Sequence, residues 1–322
     1  LLNAERQHLY MALKHAQFPV DIVSEDDLIE DNLGSCRILY LAVSHLSLKA
    51  SRKLREWVRG GGYVFATAAA GLMDEYGRPN TEMQKLLGVS HAGEEIFEGR
   101  FWGKDNLPRL EKLDTIHYKL SFSADLASLD VLLMKSILRP SRPPLLYRLT
   151  GGGNKVDTLG VFEDSTPALF ERKYGSGKAV TCAAFPGTAY VKPAIPDRPC
   201  DRGSTDEAFT HFLPSAFKET DKAFISHWAL DAGVSRPIIT DNDLVETSWI
   251  ESPRGIAIPL INYRGEPIES LEVKVLGAGL IRHVSSVTHG KLEFEIKDDE
   301  LKVKLPLDVA DMILLRRNLP RN

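Results

Sequence analysis

The sequence has few cysteines, no long apolar run and no strong excess of charge, and each shortage excludes a class of protein. Only three cysteines occur among 322 residues, and their odd number and wide spacing exclude a disulfide framework and a metal site of paired cysteines. No run approaches the roughly 18 apolar residues that a membrane-spanning helix needs. The formal net charge of −4 gives no electrostatic reason to expect a nucleic-acid or anionic membrane partner.

Motifs for metal and cofactor binding are missing as well. The nine histidines are dispersed, and none pairs with another at the spacing of a helical metal site. Gly60-Gly61-Gly62 precedes a strand, whereas a phosphate-binding glycine loop follows one. Gly151-Gly152-Gly153 lacks the Lys-Ser/Thr pair of a P-loop. The sequence therefore predicts no metal and no cofactor.

The first 90 residues alternate between helical and strand patterns, which favours an α/β fold. Apolar spacing predicts a helix over Ala4–Gln17, with Asn3 as its N-cap. Strands are predicted at Val20–Val23, Arg37–Val43 and Tyr63–Ala66. No strand precedes the first helix and no targeting signal is visible at the start, so we expect the chain to be a fragment, or the back half, of a longer polypeptide, with its compartment left open.

The rest of the chain divides into three parts. Residues 91–160 are irregular and are interpreted as an insertion. A hairpin is predicted from Ala168–Tyr174 and Ala179–Ala184, followed by mainly helical residues over 205–232. Beyond Pro237, short strands alternate with turns, as in a small antiparallel β-sandwich. The prediction is an α/β domain over 1–232, with a flavodoxin-like doubly wound sheet, and a β-sandwich domain over 233–322.

The turn after Tyr63–Ala66 is the most informative feature. In an open α/β sheet, ligands and nucleophiles lie at the carboxyl ends of the strands, and a sharp strand-to-helix turn exposes the nucleophile at its tip. Here the tip is Ala68-Ala69-Ala70. The position suits a nucleophile, but no reacting atom is present.

Four residues around this turn are the weak catalytic candidates: His45, Thr67, Asp74 and Glu75. His45 follows a predicted buried strand, and Thr67 is the only hydroxyl near the tip. Asp74 and Glu75 are the best acidic pair, but adjacent residues in a turn point in different directions, whereas a glycosidase needs carboxylates on both sides of the bond. A turn cap or a contact with a neighbouring subunit remains an alternative for this pair.

A family resemblance rests on three stretches of this region. They are Leu54 to Gly62, Ala66 to Glu75, and Leu86-Leu87-Gly88-Val89. They resemble the trimerisation domain of family 42 beta-galactosidases, which has a class I glutamine amidotransferase-like fold without the catalytic cysteine. Tyr174 to Ala179 is similar to the closing hairpin of that domain, and the segment from Ile258 to Leu314 is similar to the C-terminal β-domain of such enzymes.

The resemblance implies a non-catalytic role. In such enzymes the paired catalytic glutamates belong to an N-terminal TIM barrel, which needs about 250 residues of repeated βα units, and no such repeat is visible here. We therefore expect the C-terminal region of a glycoside hydrolase-like protein, separated from its catalytic domain. Its expected role is homo-oligomerisation, with a possible contribution to a sugar site.

Two other functions stay open. One is a stand-alone enzyme with an amidotransferase-like fold that uses His45, Thr67 and Asp74 or Glu75. The other is a carbohydrate-binding module, for which Trp102, Trp249 and Tyr263 are the aromatic residues to test for sugar stacking. The sequence does not determine the sugar or the number of subunits.

Overall fold

The computed structural model describes residues 2–96, 112–120, 125–140, 156–194 and 215–317. These residues form two compact units. The first is built from the described parts of Leu1–Met11, Asp21–Thr210 and Phe217–Val234. The second is built from those of Ala12–Val20, His211–Ala216 and Ser235–Asn322.

The helices in the described residues precede, interrupt and follow the strands of the first unit. They are α1 (Leu2–His15), α2 (Glu25–Ile29), α3 (Leu48–Arg59), α4 (Thr81–Leu87), α5 (Pro186–Val191), a 3-10 turn (Lys192–Ala194) and α6 (Glu219–Asp231). The strands of the first unit are β1 (Ile38–Leu41), β2 (Tyr63–Ala66), β3 (Val89–Ile96), β4 (Lys112–Tyr118), β5 (Ala127–Leu132), β6 (Met134–Pro140), β7 (Val156–Val161), β8 (Pro167–Tyr174) and β9 (Gly177–Cys182).

Seven of these strands form one curled, mixed sheet in the order β1-β2-β9-β8-β7-β4-β5. The pairings of β2 with β1 and with β9 are parallel, whereas every pairing from β9 to β5 is antiparallel. The strands β3 and β6 pair with each other in a separate two-stranded sheet. The carboxyl ends of β1, β2 and β9 therefore lie at one edge of the sheet.

The predicted flavodoxin-like doubly wound fold is wrong. Among the described residues, 43% lie in strands and 23% in helices. A doubly wound sheet needs a crossover helix between parallel strands, but the four strands β8, β7, β4 and β5 are joined to this sheet by antiparallel pairing alone. The stretch interpreted as an insertion supplies three of them, β4, β5 and β7, so the sheet continues where helices were expected.

Local signals explain the helix that leads into β2. The Ser47 hydroxyl accepts a hydrogen bond from the Ala50 N–H at 3.1 Å, which caps α3. Leu54 and Val58 are buried on its inner face, and the helix ends at Gly60. By contrast, Val20–Val23 is not a strand, and Asn3 lies inside α1 rather than at its N-cap.

An aromatic cluster holds α6 against the sheet. Phe65 on β2 lies 6.0 Å from the rings of both Phe224 and Trp228, and Phe224 lies 4.8 Å from the ring of Tyr118 on β4. The Tyr40 hydroxyl donates to the carbonyl of Ile225 at 2.7 Å. Ring contacts of this kind add to the stabilisation from burial, so this cluster is the centre of the first unit's core.

The strands of the second unit all pair in the antiparallel direction. They are β10 (Ile238–Thr240), β11 (Val245–Thr247), β12 (Ile250–Ser252), β13 (Gly255–Asn262), β14 (Ile268–Leu276), β15 (Ile281–Ser286), β16 (Gly290–Lys291), β17 (Phe294–Lys297), β18 (Glu300–Leu307) and β19 (Ala310–Arg317). One sheet has the order β10-β14-β18-β17, and the other has the order β11-β13-β19-β15-β16 with β12 beside β13. Buried side chains from both sheets, such as Val273 and Ile258, share one apolar core.

None of the helices within the described ranges is long and apolar enough to cross a membrane.

Candidate functional site

The turn after β2 is strained at its tip. Ala69 has a φ of +60°, in the left-handed region that costs a residue with a side chain roughly 1–2 kcal/mol. It is half-buried, between the buried residues Ala68 and Ala70. Strained backbone at the end of a buried strand is the arrangement that exposes a nucleophile, but the Ala69 side chain is a methyl group without a reacting atom.

The backbone of the turn has no N–H group left to stabilise an oxyanion. Acyl-transfer sites direct free N–H groups at the developing charge. Here each N–H from Thr67 to Gly71 donates to an acceptor of the first unit. Taken in order from Thr67 to Gly71, the acceptors are Leu41 O, Ala184 O, Ser136 Oγ, Thr67 O and Val43 O. The N···O distance is 3.1 Å for each of the first four bonds and 2.7 Å for the last. The turn is thus fixed to its surroundings and is not prepared for acyl transfer.

A cavity of about 190 Å³ adjoins the turn, and we call it the elbow cavity. The turn, α4, β3, β6 and β9 all contribute to its walls. Its lining residues are Thr67, Ala69, Ala70, Gly71, Leu72, Met73, Pro79, Met83, Gln84, Leu87, Val89, His91, Leu138 and Thr181. No Asp, Glu, Lys or Arg is among these lining residues, so within the described chain the cavity is uncharged.

The structure does not bring the four catalytic candidates into one site. Only Thr67 lines the elbow cavity. It is 2% exposed, and its hydroxyl donates to the carbonyl of Leu41 at 3.4 Å. His45 is exposed and pairs with the hydroxyl of Ser44 at 2.9 Å, so it does not lie beside Thr67 as a base.

The two acidic candidates have structural partners. Asp74 is buried and accepts hydrogen bonds from the N–H groups of Tyr76 and Arg78 at 2.9 and 2.8 Å. Glu75 accepts one from the N–H of Leu48 at 2.8 Å, at the first turn of α3. A carboxylate in that position satisfies a free N–H and is favoured by the helix dipole. Asp74 therefore caps a turn, whereas Glu75 caps the start of α3.

Cys182 does not supply a nucleophile either. Cys182 is fully buried at the end of β9, and this burial raises the pKa of its thiol to about 12. The thiolate is the reactive form, so Cys182 stays protonated and inert at neutral pH. Nor does any group of three His, Cys, Asp or Glu residues in the described ranges come close enough to hold a metal ion.

The aromatic candidates for sugar stacking lie in different environments. Trp249 is half-buried against the core of the second unit, and its indole N–H donates to Glu251 at 3.2 Å. Tyr263 is 45% exposed. Trp102 lies outside the described residues. These two described residues therefore offer at most one freely accessible ring, that of Tyr263.

Sequence reasoning missed three polar residues of this region. Ser136 accepts the N–H of Ala69, while His91 and Thr181 line the elbow cavity. A signal existed for Thr181, because it is a lone polar residue in the apolar run Ala179–Ala184. Ser136 and His91 lie at the stretch interpreted as irregular, where the sequence gives no pattern that links them to the turn.

Comparison with known proteins gives no match to a family model and none to a curated sequence. Solved structures do match. The chain aligns over 96% of its length with Gan42B, a GH42 beta-galactosidase from G. stearothermophilus, at 14% identity and a TM-score of 0.62. It aligns over 98% with the beta-galactosidase from Bacillus circulans sp. alkalophilus, at 14% identity and a TM-score of 0.63.

A third match is the alpha-L-fucosidase isoenzyme 2 from Paenibacillus thiaminolyticus, at 13% identity and a TM-score of 0.61 over 98% of this chain. The chain spans only 36%, 38% and 45% of these three proteins, in the order given. At such low identity the likeness concerns the fold. The chain has a fold found within larger glycoside hydrolases.

Proposed function

We propose that this chain is the non-catalytic region of a larger glycoside hydrolase and that it serves oligomerisation. The observation that carries the proposal is the pattern of coverage. Nearly all of this chain aligns with little more than a third of two beta-galactosidases. In this proposal the catalytic groups belong to the part of the protein outside this chain, and β-galactosides are the first substrates to test.

The chemistry of the turn after β2 supports a non-catalytic role. Ala69 occupies the strained tip, and the N–H of Ala69 and its neighbours all donate within the first unit. The acidic pair is engaged in capping. An enzyme needs groups that are free to act on a substrate, whereas Asp74, Glu75 and the backbone N–H groups of this turn are engaged in stabilising the fold.

Two exposed apolar side chains support the oligomerisation role. Ile22 and Tyr76 are 85% and 74% exposed. Each lies close in sequence to a glutamate that accepts a hydrogen bond at the start of α3. Glu25 accepts one from the N–H of Ser47 at 3.3 Å, and Glu75 accepts one from the N–H of Leu48. We call Ile22 and Tyr76 the α3-cap surface. Large apolar side chains that are exposed in the isolated chain can be covered in a protein–protein contact.

The first experiment is the intact mass of the native gene product, compared with the 35.8 kDa of this chain. A mass larger by roughly 28 kDa or more, the size of a barrel of about 250 residues, together with hydrolysis of a nitrophenyl β-galactoside, is the expected result. A native mass near 35.8 kDa would overturn the proposal.

The second experiment measures assembly by sedimentation equilibrium. The double variant Ile22→Glu/Tyr76→Glu is expected to dissociate the native oligomer, because two buried charges would replace apolar contacts. Leu280→Glu is the matched control, since Leu280 is 90% exposed and lies in the second unit. A monomeric wild type, or equal dissociation by the control, would contradict the oligomerisation role.

A further inference from the structure

Charge is separated by sign between two neighbouring segments of the first unit. Residues 21–31, which contain α2, include six acidic residues and no Lys or Arg. Helix α3 carries five basic residues and a single acid, Glu56. The two segments lie side by side, since Lys53 Nζ on α3 is 2.6 Å from Asp31 Oδ2. A protein surface ordinarily mixes the two signs, so this separation is a feature that solubility does not require.

Two basic residues of α3 have no counter-charge within the described chain. Lys49 and Arg52 are exposed and form no ion pair of 4.0 Å or less there, in contrast to Arg55, which lies 3.0 Å from Glu82. Because they are three residues apart, they lie on one face of the helix and repel each other. Lys49 is also in the first turn of α3, where the helix dipole disfavours a positive charge. We call Lys49 and Arg52 the α3 basic patch.

Two acidic residues at α2 mirror this arrangement. The side chains of Asp26 and Glu30 are exposed and form no hydrogen bond or ion pair among the described residues, whereas Asp27 is engaged in the capping box with Ser24. Asp26 and Glu30 are four residues apart, so they too share a face and repel each other. Glu30 is the C-cap of α2, where the helix dipole disfavours a negative charge. We call Asp26 and Glu30 the α2 acidic patch.

The two patches are opposite in sign and alike in size, because each presents two charges about one helical turn apart. Although α2 and α3 are neighbours, the patches form no ion pair with each other within one chain. The local stability of α2 and α3 therefore does not account for these four charges. Complementary charges across an interface speed association and fix its register, so we looked for the partner that supplies both signs.

We propose that the α3 basic patch of one copy of this chain binds the α2 acidic patch of a second copy. A second copy supplies both signs, so each patch gains a counter-charge when copies associate. The proposal rests on the proposed oligomerisation and names the surface that carries it. Ile22 of the α3-cap surface lies four residues before Asp26 and is 85% exposed, so it supplies apolar area beside the acidic patch.

The test is the self-association constant of charge-reversed variants of the full-length native protein, measured by sedimentation equilibrium at about 0.1 M salt. Lys49→Glu/Arg52→Glu and Asp26→Lys/Glu30→Lys are each expected to weaken association about a hundredfold, because like charges would face each other. The variant with all four changes exchanges the two signs and keeps the net charge. It is expected to associate within about threefold of the wild type.

The matched control is Lys291→Glu/Lys297→Glu. Both lysines are exposed and lie in the second unit, and their reversal changes the net charge by the same amount as that of the basic patch. The control is expected to associate within about twofold of the wild type. The four-change variant remains informative if either double variant folds poorly, because it restores complementarity rather than removing it.

Two results would overturn the proposal: association of both double variants at the wild-type level, or a four-change variant as weak as the double variants. If the double variants associate normally but unfold at a lower temperature than the control, the patches contact the part of the polypeptide outside this chain instead. A monomeric wild type contradicts the oligomerisation role as well. An oligomer that does not respond to the charge reversals contradicts this proposal alone, so the two failures are distinguishable.

Discussion

Glu5 and Thr188 form a double hydrogen bond inside the first unit. Oε2 of Glu5 accepts from the backbone N–H and from the hydroxyl of Thr188 at 2.8 and 2.9 Å, while Oε1 accepts from the N–H of Gly187 at 2.8 Å. Glu5 is completely buried. Its burial outweighs these hydrogen bonds and raises the pKa of the carboxyl to about 7. One side chain on α1 therefore fixes the start of α5.

The raised pKa of Glu5 predicts a pH-dependent stability. The folded chain binds the proton more tightly than the unfolded chain, so this stabilisation is fully present below about pH 4.5 and is lost as the pH rises towards 7. The shift corresponds to a loss on the order of 3 kcal/mol. We expect the free energy of unfolding, measured by urea titration, to fall over this range.

The matched control is Glu5→Gln, which stays neutral. Burial also raises the pKa of Asp221 to about 6 and lowers the pKa of His8, so the informative quantity is the difference in the free energy of unfolding between the wild type and Glu5→Gln at each pH. A difference that does not change between pH 4.5 and 7 would show that Glu5 is not the group responsible.

Replacing Ala69 by glycine should stabilise the protein. The φ of +60° at Ala69 disfavours any residue with a Cβ, whereas glycine adopts it readily, and the gain outweighs the extra freedom of glycine in the unfolded chain. We expect an increase of about 1 kcal/mol in the free energy of unfolding. Ala68→Gly, at the neighbouring buried residue, should instead destabilise, by about 1 kcal/mol. Equal effects of the two variants would contradict the strain at Ala69.

Replacing Gly177 by alanine should be strongly destabilising. A Cβ at this position would overlap the carbonyl oxygens of Val58 and Gly62, which are backbone atoms that cannot rotate away. We expect a loss of about 3 kcal/mol by chemical denaturation. Ser176→Ala, at the exposed residue that precedes Gly177, should stay within about 0.5 kcal/mol of the wild type. A small effect of Gly177→Ala would mean that the end of α3 can move away from β9.

A buried ion pair should show strong coupling. Lys135 Nζ lies 2.8 Å from Asp114 Oδ2 and 5.0 Å from the centre of the Phe162 ring. Burial opposes both charges and is the largest single influence on each group. The hydrogen bonds and opposite charges around each group together outweigh it, so the pKa of Asp114 is lowered and that of Lys135 is raised.

Lys135→Met leaves the Asp114 carboxylate without its partner and is expected to cost about 3 kcal/mol or more. The double variant Lys135→Met/Asp114→Leu should cost less than the sum of the two single variants, because no buried charge is left unpaired, and Glu95, the other partner of Lys135, is exposed to solvent. Thermal unfolding of the four proteins measures the coupling. Additive effects would show that the two side chains do not act as a pair.

Elements with local start and stop signals could be predicted from the sequence. The strand Tyr63–Ala66 is confirmed with its exact ends. The hairpin of β8 and β9 is also confirmed, since its two glycines mark a tight turn. These features depend on neighbours within a few residues, which a single sequence displays.

The order of the sheet could not be predicted, because it depends on distant pairings. His117 on β4 pairs with Val161 on β7, and no local pattern connects the two. The candidate site shows the same limit. The position of the turn after β2 could be predicted from the sequence, but the contacts that fix the turn could not. The acceptors that fix it, Ala184 and Ser136, come from remote segments.

The mixed sheet has a consequence for synthesis on the ribosome. Strand β2 pairs along its whole length with β9. Tyr63 therefore cannot pair with Lys178 until more than a hundred further residues of the chain have been synthesised. Until then one edge of β2, including buried Val64 and Phe65, has no strand to cover it. The β8–β9 hairpin closes locally and fast, whereas the parallel pairing of distant strands is slow. Translation pauses before residue 178 would therefore prolong the period in which the nascent chain is open to aggregation or chaperone capture.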